Sequence, residues 1–215
     1  MDFLSVSVQL LAGFGETLKI FAVTLLAALP LGLLICFGAM ARFLPLRAVS
    51  RALIWVMRGT PLMLQLIVVY YGPGLVFGGV WFSAHVATYL TFSLNYACYF
   101  AEIYRGAIAG VPAGQYEAGQ VLGMSRTQVF FRVILLQMVK RMIAPIGNEI
   151  ITLVKDTSLA RIITYYELIY YAQSYIKNGG LLWPLFYTGV FYLVFTAVLT
   201  WLFGRAEKRL AYIKI

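Results

Sequence analysis

The chain has 215 residues and 24.1 kDa, with 62% hydrophobic residues, 12% charged residues, a net charge of +9 and a mean hydropathy of +0.85. A soluble domain carries about 25% charged residues, so this chain has too few to cover a water-facing surface, and disorder and a coiled coil are excluded by the same figures. Its outer surface has to face lipid. Cys36 and Cys98 both lie in apolar runs and imply no disulfide framework. The single histidine, His85, leaves no His-rich metal or base chemistry. The positive charge does not point to nucleic acid, because the basic residues sit between apolar runs, where cytoplasmic loops would be. With Asp2 and no basic flank before the first apolar stretch, no cleaved signal peptide is expected.

A bilayer core about 30 Å thick needs about 20 helical residues. The first chargeless stretch, residues 20–41, contains Pro30 and reads as the first span. A second chargeless stretch, 59–101, is divided by the turn-rich run Tyr71-Gly-Pro-Gly-Leu-Val-Phe-Gly-Gly-Val80 into two spans. The earlier of these starts near residue 52 with Arg58 in its first turns, and the later runs over about 84–104. A fourth span, about 138–154, is interrupted by Glu149, and Pro145 and Gly147 predict local irregularity there. Residues 159–176, with Arg161, Glu167 and a tyrosine cluster, read as an outer-surface or re-entrant amphipathic helix, its tyrosines anchoring it at the interface. The last span, about 182–203, follows Gly179-Gly180. The result is an all-α, polytopic membrane protein of about five spans, a single transmembrane domain over 1–215.

Orientation follows from the basic residues. With the amino end outside and the carboxyl end inside, only Lys19, Lys155, Arg161 and Lys177 fall outside. All other lysines and arginines, from Arg42 to Lys214, fall inside.

One inner loop, about 106–132, differs from a simple connector. Pro112 suits the first turn of a short helix ending near Leu122, and Gly123 suits its stop. Ser125-Arg-Thr-Gln128 then has the spacing of a capping box that opens a second helix. An ordered helix projecting from the membrane is what docking a soluble partner requires.

These residues carry a resemblance. Glu117-Ala118-Gly119 with Gly123, followed by Val133-Ile-Leu135, resembles the EAA loop of ABC importer permeases. Arg58-Gly-Thr-Pro-Leu62 with Gln65, Ala101-Glu-Ile103 with Arg105-Gly106, Gly147-Asn148 and Lys155-Asp-Thr-Ser-Leu159 resemble the polar amino-acid uptake branch, in the same order and spacing. The family's second alanine is Gly119 here, and its proline after Val-Ile-Leu is Leu136, so any bend at that place has to come from another feature.

The resemblance implies a type I importer permease in the bacterial cytoplasmic (inner) membrane, working by alternating access. It implies a second permease chain, identical or similar. It also implies two cytoplasmic ATPase subunits and an extracytoplasmic amino-acid-binding protein. ATP and Mg would be used by the ATPase; the chain has no G-x-x-x-x-G-K-S/T phosphate loop and needs no cofactor or metal of its own. Glu117, Ala118, Gly119, Gly123 and Ser125 would form the ATPase-coupling element, and Arg58 and Pro61 would have a conformational role.

Glu149 is the leading substrate residue. A carboxylate in mid-span costs about 2.5 kcal/mol or more and normally faces a cavity or a partner. The glutamate resembles the version found in carriers of basic amino acids, so arginine, lysine or histidine is the expected cargo, with glutamine or another polar amino acid as the alternative. Asn95 can serve an ammonium or a carboxylate, or make a helix–helix hydrogen bond. Tyr99 shares its face one turn on, and Asn148 neighbours Glu149 in sequence. An ion-coupled carrier using Glu149 would predict internal repeats, and none is visible.

Overall fold

The computed structural model describes residues 3–211; Asp2 and Lys214 lie outside them. The described chain is helical, with helices α1 (Phe3–Met40), α2 (Leu44–Gly59), α3 (Leu62–Phe77), α4 (Ala84–Ala109), α5 (Gly114–Val121), α6 (Arg126–Val129), α7 (Leu135–Asp156), α8 (Leu168–Gly179) and α9 (Trp183–Arg209). A π-helical segment, Phe130–Ile134, joins α6 to α7, and a 3₁₀ segment, Thr157–Ile163, follows α7.

Helix α1 starts well before residue 20. The charges that seemed to end it are satisfied where they stand: Lys19 pairs with Glu16 at 2.6 Å, and the Tyr165 hydroxyl donates to Glu16 at 3.1 Å. Val6, Leu10, Gly13, Thr17, Ile20 and Thr24 are buried at three- and four-residue spacing, a stripe that faces the protein. Its other faces leave Leu26, Leu34 and Phe37 exposed, the surface lipid would cover.

Helix α4 is central. It packs against α1, α2, α3 and α7, and its middle, from Thr91 to Ala101, is almost wholly buried. It therefore needs little lipid-facing hydropathy. Among the described residues, α1 and α9 are the helices long and apolar enough to cross a membrane alone, or three spans result if the bent α2–α3 pair counts as one.

Contacts give the directions of the passes. Gly32 of α1 lies against Ala97, Phe100 and Ala101 of α4, while Glu16 and Tyr89 meet at Tyr165, so α1 and α4 run the same way. Phe3 stacks on Trp183 and Phe21 meets Phe195 edge to face, so α9 runs with them. Tyr96 meets Asp156 and Gly110 meets Arg141, so α7 runs against α4. With α2–α3 returning from the end of α1 to the start of α4, the chain makes five lengthwise passes.

Four local expectations are corrected. The span drawn from residue 52 is broken: α2 and α3 are bent by 107° at Thr60–Pro61, which puts Arg58 in the last turn of α2. Pro61 has no N–H and holds Thr60 in the extended region, so the helix cannot run through. The run starting at Tyr71 does divide the stretch, but only at its end: α3 continues through Pro73 to Phe77, and Gly78 and Gly79, both with positive φ, close it. Helix α7 likewise continues through Pro145, and Gly147 is a packing site, with an added Cβ only 2.9 Å from the Phe203 ring. Finally, residues 159–176 are not one interfacial helix. Thr164 takes a left-handed conformation between the 3₁₀ segment and α8, and Tyr165 and Tyr175 are buried, the latter donating to Gln9 at 2.6 Å.

Candidate functional site

The α2–α3 break builds the site. Breaking a helix strands carbonyls, and in apolar surroundings each must be given a donor. The Gln65 side-chain amide donates to the Met57 carbonyl at 2.8 Å and the Thr60 carbonyl at 3.1 Å. From α4, the Asn95 amide donates to the same Met57 carbonyl at 3.1 Å and to the Gln65 side-chain oxygen at 2.9 Å. Asn95 thus spends its donors on fixing the break, the helix–helix alternative of its two sequence readings.

Against this break lies a cavity of about 600 Å³. Residues Arg58 to Met63 form one wall, Asn95, Tyr96 and Tyr99 of α4 a second, and Glu149, Thr152 and Asp156 of α7 a third. Positions 149, 152 and 156 are three, four and seven residues apart, so they share one helix face. The Tyr96 hydroxyl donates to Asp156 at 2.7 Å from a side chain only 2% exposed. The Arg58 guanidinium stacks 5.2 Å from the centre of the Tyr99 ring. Two carboxylates, one guanidinium and several hydroxyls therefore meet in one half-enclosed space. Such a set can hold a small molecule bearing both signs of charge through charge-assisted hydrogen bonds.

Of the residues singled out in the sequence, Glu149, Asn95, Tyr99, Arg58 and Pro61 line this cavity. Asn148 does not; its side chain is exposed on another face, and only its carbonyl is used, by the Thr152 hydroxyl at 3.0 Å. Asp156 was missed as a site residue. Its signal was present, inside the Lys155-Asp-Thr-Ser-Leu159 run and two helical turns from Glu149.

The second element of interest is the projecting loop. Helix α5 ends in a glycine turn: Gly123 has φ +72°, its N–H donates to Gln120, and the Met124 N–H donates to Gly119. The capping box at Ser125 is complete, with Gln128 N–H to Ser125 at 3.3 Å and Ser125 N–H to Gln128 at 2.8 Å. Gly119 is buried against Val129, and a Cβ there would fall inside the Val129 methyl shell, which is why the residue is not alanine. Val111, Val129, Ile134 and Met138 pack into a small core beneath the loop. Outward, Glu117, Ala118, Gly123 and Ser125 are exposed beside Val121 and Leu122, which are 88% and 78% exposed. The π segment, in which the Leu135 N–H reaches back to Phe130, lies immediately before Leu136, where the resemblance leads one to look for a bend. Among the described residues no group of three or more His, Cys, Asp or Glu side chains could hold a metal.

Comparison with known proteins agrees with this geometry. Residues 8–212 match the family described as the binding-protein-dependent transport system inner membrane component. The chain is 34% identical over 204 residues to the glutamine transport system permease protein GlnP of Escherichia coli K12, covering 94% of this chain and 92% of that one. It is 32% identical over 203 residues to the arginine transport system permease protein ArtQ of Bacillus subtilis, with the same coverage. A solved amino acid ABC transporter with histidines superposes with a TM-score of 0.87 at 30% identity, over 97% of this chain and 99% of that one. The chain belongs to the inner membrane components of binding-protein-dependent transport systems. It is a permease subunit, a transport component and not an enzyme, with the fold of type I ABC permeases.

Proposed function

We propose that this chain forms the translocation path of an ATP-driven amino-acid importer, and that its cargo is a basic amino acid. The observation that carries the reading is the charge set of the cavity: Glu149 and Asp156 on one face of α7, opposite Arg58. Arginine or lysine brings two cations and one carboxylate, and the cavity offers two carboxylates and one guanidinium. Glutamine, the cargo named for GlnP, would leave one carboxylate of the pair unmatched. The relatives include both an arginine and a glutamine permease, and the solved relative was determined with histidines.

In this reading the protein lies in the bacterial inner membrane as a multi-pass chain, amino end outside, paired with a second permease chain. Two ATPases, which use ATP and Mg, dock on the exposed face of α5 and its glycine turn through Glu117, Ala118, Gly123 and Ser125, while Gly119, expected to belong to that element, is packed beneath it on Val129. A binding protein delivers the amino acid from outside. Closure of the ATPases moves the rigid loop, and the α2–α3 break, with Arg58 and Pro61, changes the side on which the cavity opens. The loop core beneath α5 and the bonded break support that transmission, because both are stiff elements able to move as units.

The test is uptake into liposomes holding the complete importer, with ATP inside and the binding protein outside. Arginine, lysine, histidine, glutamine and glutamate are compared in wild type and Glu149→Gln. Basic amino acids should lead, and the variant should lose them by about tenfold or more, the worth of a charged hydrogen bond. An unchanged profile would show that specificity lies elsewhere.

A further inference from the structure

A second cavity, about 620 Å³, adjoins the first and shares Arg58, Gly59 and Tyr99 with it. Its remaining polar lining is opposite in sign. Arg51, Arg58 and Arg105 surround it, with Glu102 the only acid. Glu102 is already engaged: Arg105 grips it through both Nε, at 2.9 Å, and a terminal nitrogen. Arg51 gives its Nε to the Ala39 carbonyl at 3.2 Å, near the end of α1. Its terminal nitrogens, and the whole guanidinium of Arg58, make no hydrogen bond among the described residues. Two cationic groups thus face a half-open space without an acceptor, while Trp55 and Tyr99 add aromatic walls. That arrangement calls for a planar anion of carboxylate size, which a guanidinium can bind through two parallel hydrogen bonds.

We propose that this cavity is a second binding site for the transported amino acid, holding its carboxylate between Arg51 and Arg58 after it leaves Glu149 and Asp156. The inference rests on the reading that those two carboxylates hold the amino acid first. Two features favour the transported molecule over an anionic lipid head group. The cavity adjoins the first, and the boundary they share carries the polar side chains of Arg58 and Tyr99. It also keeps the charge of Glu102, which is paired with Arg105 but still opposes a phosphodiester more than a molecule that carries its own cation. Arg58 belongs to both cavities, and its guanidinium can stay on the carboxylate during the transfer. The path therefore reads first the cation and then the anion of its cargo.

The experiment is saturation binding to the complete importer in phosphatidylcholine nanodiscs without ATP, using radiolabelled arginine and radiolabelled agmatine, which is arginine without its carboxylate. Wild type should bind two arginines per permease chain. Arg51→Gln should weaken one site by about tenfold or more and leave the other, which Glu149→Gln weakens in turn. Agmatine should fill only the Glu149-sensitive site, a result that needs no variant to fold. One arginine site, sensitive to Glu149→Gln alone, would overturn the second site and leave the proposed function standing. One site sensitive to Arg51→Gln alone would support the second site and overturn the cargo reading at Glu149. Agmatine filling both sites equally would also overturn the proposal, since a carboxylate would then not be what the arginines bind.

Discussion

Asp156 illustrates how a buried neighbour can set what a site residue does. Its half-buried carboxylate is held by the hydroxyl of Tyr96, whose ring is almost wholly buried and cannot follow if the acid swings. Tyr96→Phe keeps the ring and removes only the hydroxyl. The expected result is a rise of roughly tenfold in KM for the basic amino acid, the scale of one hydrogen bond to a charged group. Maximal ATPase rate should change little, because the ring still packs. An unaltered KM would mean that Asp156 is positioned by the backbone of α7 alone. Asn95 makes the complementary point. Its chemistry is suited to a ligand, yet its donors serve a carbonyl of the helix break. No property of an isolated Asn distinguishes these uses; only the partner on α2 does.

At the level of elements, the structure of the projecting loop was legible and the helix break was not. Local signals fix the loop: a glycine stop with positive φ and a capping box, each acting over three or four residues, whereas Pro112 lies before the Ala113 cap of α5 and not in its first turn. The break depends on distant groups. Pro30, Pro73 and Pro145 all lie inside continuous helices, while Pro61 ends one. What differs at Pro61 is that Gln65 and Asn95 stand ready to satisfy the carbonyls a break exposes. Hydropathy cannot report that, since Gln65 merely looks like a polar residue in an apolar run. The Gly119–Val129 contact gives this element its own prediction. Gly119→Ala should overpack the loop, costing about 1–3 kcal/mol, and should lower transport-coupled ATP hydrolysis several-fold. Adding Val129→Ala opens the space and should restore most of it. If the double variant is no better than the single one, the defect lies at the ATPase surface and not in the packing.

For the whole molecule, the five passes leave α1, α4 and α9 pointing one way and α7 the other, with the termini at opposite ends of the bundle. The sequence conveyed the alternation of apolar runs and turns that these passes follow. It misjudged where they start, because Glu16 and Lys19 look like a boundary until their partners are seen. The sidedness proposed from the basic residues has a direct check. Cys36 and Cys98 are fully buried, so they give little background in a labelling experiment. A cysteine at Lys177 should react with a membrane-impermeant maleimide in intact spheroplasts. One at Arg126 should react only after the membrane is opened. The reverse pattern would invert the molecule.

The π segment between the docking loop and α7 has a further consequence. Five residues there carry a wider helical turn than their neighbours, so the chain holds one residue more than an unbroken α-helix would need. Deleting Arg132 would let the turn relax into ordinary α-helix, with better hydrogen bonds and no interruption. Because the wide turn absorbs that residue, the segments on either side would keep nearly their present rotation about the helix axis, and what would be lost is the local irregularity next to Leu136. Such a shortened protein should be expressed and at least as heat-resistant as its parent, yet its ATPase should idle without moving cargo. Here the less regular helix is the one that keeps the gears in mesh.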